Sequence, residues 1–233
     1  MHALKTYLYE THLHTMPVSK CAKATVRESL EYYKSLGYDG VFITNHFIDG
    51  NINYDRSAPY EDILNFFFSD YENAVPIAKE IGIKVFLGIE GTYRGTDFLI
   101  YGLGKEWFLS HPEIQGMPKK EQLAFMAKEG ALIIHAHPFR EAAYIDHIRL
   151  FPRSVHGVET INASRTDFEN SLAKQYAKNY DLLSFAGSDN HAGSAKTHLA
   201  GMKFKTPIID EADFVTRVKN NEGKTFVLDA NTN

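Results

Sequence analysis

Residues 83–90 read Ile-Lys-Val-Phe-Leu-Gly-Ile-Glu, an apolar, β-prone run that ends on a carboxylate. The same grammar recurs along the chain. Gly40–Thr44 (GVFIT) leads into Asn45 and His46, and Ala131–Ile134 (ALII) leads into His135 and His137. Leu182–Ala186 (LLSFA) leads into Asp189 and His191, and Gly157–Ile161 carries Glu159 and is followed by Asn162. Leu4–Tyr9 precedes His12 and His14, and Phe98–Tyr101 reads as a further strand, as does Thr225–Leu228. Apolar runs this short, rich in β-branched and aromatic residues, fit strands buried on both faces.

Helical patterns alternate with them. Thr25-Val-Arg-Glu28 is a capping box, opening a helix that Gly37 stops. Tyr60–Ile81 is helical with a kink expected at Pro76. Pro118 opens a helix ending near Gly130, and Glu141–Leu150, Thr166–Lys178 and Asp210–Asn221 are the remaining helices. Strands alternating with helices imply a parallel sheet, and about seven or eight such units favour closure into a barrel. The chain carries no GxGxxG and no P-loop, which removes the usual nucleotide-fold signatures. One domain over residues 1–233 is expected, because no linker or repeat divides the sequence.

Composition narrows the functional classes. The chain has 233 residues, 44% hydrophobic and 13% aromatic, as a folded globular protein has. A net charge of -4 lacks the broad basic surface that duplex nucleic acid requires. The single cysteine, Cys21, allows no internal disulfide. No signal-peptide pattern opens the chain and no apolar run could span a bilayer, so a cytoplasmic location and no membrane partner are expected.

Eleven histidines in a chain of this length are the anomaly. In a parallel barrel, residues at the C-terminal ends of the strands meet at one mouth. His12, His14, His46, Glu90, His137, Asp189 and His191 all fall at such ends, and imidazole with carboxylate is a ligand set for borderline divalent metals. A period of two puts His12 with His14, and Asp189 with His191, on one side of their segments. Glu159 and Asn162 divide between support of the ligands and plain packing. His2, His111, His147, His156 and His198 fall on presumed helices, loops or the terminus and read as structural.

The motifs Thr11-His12-Leu13-His14, Thr44-Asn45-His46, Gly88-Ile89-Glu90, Ala136-His137-Pro138, Gly157-Val158-Glu159 with Asn162, and Gly187-Ser188-Asp189-Asn190-His191 resemble those of the PHP family, the polymerase and histidinol phosphatase domain, in family order. The resemblance implies a distorted (β/α)7, TIM-like barrel whose mouth holds two or three zinc, manganese or iron ions. It implies that His12, His14, Glu90 and Asp189 hold one ion, that Glu90 bridges to a second also bound by His137, and that His46 and His191 hold a third. Three positions depart from the family pattern. Lys20 stands where many members have histidine or aspartate, Asn45 replaces an aspartate, and no histidine follows Glu90 closely, leaving Asp97 or His135 to complete the second position.

The implied activity is hydrolysis of a small phosphate ester, such as histidinol phosphate or a nucleotide, by a metal-bridging hydroxide. Glu90 and Asp189 are the expected catalytic carboxylates. Arg140, three residues beyond His137, is the first choice for a phosphate clamp, ahead of Lys20, Arg94 and Arg165. Two other classes compete: an accessory metal-binding module in nucleic-acid metabolism, and an amidohydrolase-like C–N hydrolase, which would carry a bridging lysine where this chain has Glu90.

Overall fold

The computed structural model describes residues 5–232, so His2 and Leu4 lie outside the described residues. The strands are β1 (Tyr7–Leu13), β2 (Gly40–Ile43), β3 (Lys84–Tyr93), β4 (Thr96–Tyr101), β5 (Leu132–Ala136), β6 (Gly157–Asn162), β7 (Leu183–Gly187), β8 (His198–Phe204) and β9 (Lys224–Asp229). The helices are α1 (Val26–Ser35), α2 (Tyr60–Ile81), α3 (Lys105–Ser110), α4 (Lys119–Lys128), α5 (Asp167–Asn179) and α6 (Glu211–Lys219). The strands form one nine-stranded sheet in the order β7-β6-β5-β4-β3-β2-β1-β8-β9. It curls into a nearly closed barrel: beyond β7, Asn190 bridges in parallel to Leu13, and its carbonyl accepts the His14 N–H at 3.0 Å.

This is a barrel-type α/β fold, but neither seven-stranded nor wholly parallel. β4 is antiparallel to both β3 and β5, and β8 is antiparallel to both β1 and β9. The connection from β3 to β4 is the Arg94-Gly95 turn, with φ of 51° and 81°, so it makes an antiparallel hairpin where parallel strands were expected. The expected helix over Glu141–Leu150 is absent; the segment is turns and irregular chain, mostly exposed. A ten-residue helix that buries little apolar surface does not hold together in water. Pro76 does not break α2, which runs through it. α3 and β8 were not foreseen, and His198, expected off any strand, begins β8. β1, β3 and β5 extend further than expected, so His12, Glu90 and His135 lie within their strands.

The barrel interior is aromatic. Phe42 stacks on Phe86 at 4.7 Å, and α6 inserts Phe214 to within 4.2 Å of Phe42, where it also meets Tyr101, Phe185 and Phe204. This wedge fills the barrel beneath the site. Tyr101 links it upward, donating its hydroxyl to the Thr11 carbonyl at 2.6 Å, one residue before His12. Two glycines permit the close strand approach. A Cβ on Gly201 would collide with the Tyr9 carbonyl, and one on Gly187 with the His12 side chain.

Candidate metal centre

Glu90 is the hub. Its Oε1 lies 3.2 Å from both His12 Nε2 and His137 Nε2, while Oε2 lies 3.4 Å from His14 Nε2 and 2.7 Å from His46 Nδ1. Asp189 closes the other side, with Oδ1 3.6 Å from both His12 Nε2 and His14 Nε2 and 3.3 Å from His191 Nδ1. Asp97 Oδ2 lies 3.9 Å from His137 Nε2. The ligand-type atoms gather into overlapping groups that could each hold an ion: His12/His14/Glu90, His12/His137/Asp189, Glu90/Asp97/His137 and His14/His46/His191.

The donors fit cations. His12 Nε2 and His14 Nε2 are buried without a hydrogen-bond partner, and His46 Nδ1 and Glu90 Oε2 meet at 2.7 Å without hydrogen-bond geometry, a costly arrangement that coordination would relieve. The opposite ring nitrogens are committed. His12 Nδ1 meets Glu159 Oε1 at 2.9 Å, and His14 Nδ1 meets Ser19 Oγ at 3.1 Å. Such contacts fix which nitrogen faces an ion. Among the described residues the arrangement is therefore a multi-metal binding cluster in its chemistry.

The electrostatics describe the cluster before an ion enters. Burial opposes charge on His12, but Glu159, Asp189 and Glu90 outweigh it and hold its pKa well above the usual imidazole range. Burial together with the neighbouring His191 and His46 depresses His14. Burial would raise Asp189, yet His12, His137 and His191 bring it down to about 2. Burial would raise Glu90 too, yet His46 and His12 hold it well below the usual carboxylate range. Glu90 and Asp189 are thus already ionised for a cation, whereas burial raises Asp97. Ion binding must displace protons from imidazoles.

Local structure delivers these side chains under strain. His137 and Asp189 have φ of 24° and 51°, in a region non-glycine residues seldom occupy. Glu159 organises both sides: besides His12 it accepts the His137 N–H at 3.0 Å and the Asn162 side-chain amide at 2.8 Å. Asn162 also reaches Asp189 Oδ2 at 3.4 Å.

The remaining sequence candidates sort by position. Arg140 points into the site, pairing with Asp97 at 2.8 Å, while its Nε has no partner. Arg94 and Arg165 line the same cavity, of about 690 Å³, together with Arg56, which sequence reasoning missed. Lys20 is exposed and is not among the residues lining that cavity. His135 is not brought to the cluster. It stacks on Phe98 at 5.3 Å on the other face of the strand, and burial pushes its imidazole down to about 3. His111 bonds the Trp107 carbonyl, His156 accepts the Ile133 N–H, His198 pairs with Asp229, and His147 is exposed beside Asp146.

Two supporting residues, Glu10 and Asp70, were also missed, and Asn45, noted in the sequence only as a departure from the family pattern, supports the site with them. Glu10 Oε1 accepts the N–H groups of Thr11, His12 and Ser188 at 2.8–2.9 Å, tying β1 to the end of β7. Asn45 accepts from Thr15 N–H at 2.7 Å and Ser19 Oγ at 2.9 Å and donates to Asp70 at 2.9 Å. The asparagine that replaces the family aspartate is therefore a loop clamp. Asp70 left a signal, since an acid at i+3 from Phe67 sits on the apolar stripe of α2.

The sequence matches no protein-family model and no curated protein. Solved structures share the fold. A two-domain protein from Bacteroides vulgatus, containing a predicted PHP-like metal-dependent phosphoesterase, superposes with a TM-score of 0.70 at 14% identity over 95% of this chain. The chain spans 65% of that protein's length. PsfC from Pseudomonas syringae gives 0.59 at 14% identity, covering 96% of this chain and 91% of that one. An amidohydrolase from Chromobacterium violaceum, with sulfate bound, gives 0.53 at 13% identity, covering 93% and 97%. This chain has their barrel.

Proposed function

We propose that this chain is a metal-dependent phosphoesterase hydrolysing a small phosphate ester. The observation that carries the reading is the arginine rim over the imidazole–carboxylate cluster: Arg56, Arg94, Arg140 and Arg165 line one cavity with Glu90, Asp97 and Asp189. A neutral amide offers guanidinium groups one uncharged carbonyl oxygen, whereas a phosphoryl group offers charged oxygens that match their fork. The sulfate bound by the similar Chromobacterium violaceum barrel has the same tetrahedral shape, and the similar Bacteroides vulgatus protein bears the phosphoesterase description.

In this reading His12, His14, Glu90 and Asp189 hold one ion, Glu90 is shared with a second held by His137 and Asp97, and His46 and His191 hold a third. Zinc, manganese or iron there would supply Lewis acidity and a water of lowered pKa. Glu159 keeps the His12 ring turned so that Nε2 faces inward. Arg140 orients the phosphoryl group, anchored through its ion pair to Asp97. In this reading His191, whose Nδ1 lies 3.3 Å from the ionised Asp189 at the cavity wall, passes a proton to the leaving oxygen while the Asp189 carboxylate holds the imidazolium.

The test is a screen of apo protein reconstituted separately with zinc, manganese and iron against phosphate monoesters, diesters and amides. Chelator-sensitive turnover of a phosphate ester is expected. Amide cleavage with no phosphate ester hydrolysed by any loaded form overturns the reading.

A further inference from the structure

Cys21 sits beside the third group of donors. Cys21 lines the cavity together with His46 and His191, close enough for both imidazoles to act on its thiol. The loop that carries it is pinned on both sides: Ala22 N–H donates to the Ser19 carbonyl at 3.0 Å and Lys23 N–H to the His191 carbonyl at 2.7 Å. Independently of the thiol, a fully buried imidazole aimed into the same group lacks a hydrogen-bond partner. Fully buried His14 has an Nε2 without a hydrogen-bond partner in the same group as His46 and His191, and the Nδ1 of His46, a residue 8% exposed, has Glu90 Oε2 beside it at 2.7 Å. The His14 ring stacks on His191 at 4.0 Å and lies 4.4 Å from His46.

We propose that Cys21 is a thiolate ligand, joining His46 and His191 to hold a zinc ion with a fourth position open to the cavity. The proposal rests on the metal-centre reading above and adds a sulfur donor to it. Two imidazoles and a thiolate with an open position are a zinc ligand set of the kind that retains a water or substrate atom. The exchange is balanced: the Cys21 S–H proton leaves to solvent as the sulfur–metal bond forms. A soft sulfur donor discriminates by metal, favouring zinc over manganese, which prefers oxygen. The position that Lys20 fails to fill is thus filled from the neighbouring residue.

Cobalt(II) is the probe, because thiolate coordination gives it an intense near-ultraviolet charge-transfer band. Chelator-treated protein loaded with cobalt should show that band in the native chain and lose it in Cys21→Ser and Cys21→Ala. Tightly held zinc should fall by about one equivalent in Cys21→Ala, with the other equivalents retained. Cys21 is the chain's one cysteine, so alkylation reports on it alone. Zinc should slow its reaction with iodoacetamide by roughly tenfold or more, since the bound thiolate is no longer free. Cobalt binding without the band, or a thiol equally reactive in zinc-loaded and apo protein, overturns the thiolate assignment and leaves the metal centre standing. A native chain that takes up no metal at all overturns both.

Discussion

Arg140 does two jobs with one guanidinium. Its Nη2 holds the buried Asp97 carboxylate at 2.8 Å, while its side chain borders the cavity and keeps an Nε without a partner. Burial opposes its charge, but Asp97 and Glu90 outweigh that effect and raise its pKa, so the cation is permanent. A charge-assisted contact to phosphate contributes about 1.5–3 kcal/mol, so Arg140→Ala should lower kcat/KM by roughly ten- to a hundredfold on the best phosphate ester. Arg140→Lys should recover part of that, because an ammonium keeps the charge but not the fork. Metal content by elemental analysis should stay at the native value in both. Native kcat/KM in Arg140→Ala would move the clamp to Arg56, Arg94 or Arg165. Glu159 has a different weight: one carboxylate serves His12, His137 and Asn162 at once, so it orients a pair of ligands that the chain separates by many residues.

Helix α5 shows how an element serves the site without touching it. Its N-terminus is closed by a reciprocal capping box, with Thr166 accepting from Glu169 N–H and the Glu169 carboxylate accepting from Thr166 N–H. The same Glu169 accepts the Glu141 N–H at 3.1 Å, fastening the chain just past Arg140, and Asn170 brackets the backbone of Asn162. Thr166→Ala should cost about 1 kcal/mol in urea unfolding, within about 0.5–2, while zinc stoichiometry stays unchanged. An unchanged midpoint would mean that the cap adds nothing. The Thr25–Glu28 capping box was read from the sequence because its hydrogen bonds join residues three apart; the Thr166–Glu169 box has the same spacing and was not. The strand-end pattern was legible too, placing Glu90, His137 and Asp189 in one mouth. The antiparallel insertion of β4 was not, because Thr96–Tyr101 is as apolar as its parallel neighbours and strand direction is set by the Arg94-Gly95 turn. The helix misread over Glu141–Leu150 has the same origin: local periodicity says nothing of whether a partner surface exists to bury it. His135 and His137 were indistinguishable by spacing, and the positive φ of His137 decides which of them faces the cluster.

At the scale of the whole molecule the proposed metal centre is expected to stabilise the fold. Ions that bind the folded barrel and not the unfolded chain stabilise it by mass action, by about 2.7 kcal/mol at a hundredfold excess over Kd. For a chain of this size that corresponds to a Tm higher by about 5–11 °C. Thermal scans with zinc against scans with excess chelator measure it, and coincident transitions at that excess would show that the cluster holds no ion tightly. No helix among the described residues is long and apolar enough to cross a membrane. The seam between β1 and the end of β7 governs when such an ion can arrive. Glu10 and Ser188, joined across it, are 178 residues apart in the chain. During synthesis at about 5–20 residues per second, His12 and His14 precede Asp189 and His191 by roughly 9–36 s. Through that interval the nascent polypeptide displays imidazoles that no carboxylate from the far side has yet enclosed. If the cluster holds an ion as proposed, its full ligand set exists only once the barrel closes, and an ion met early by the leading histidines could still be exchanged before the last ligands appear.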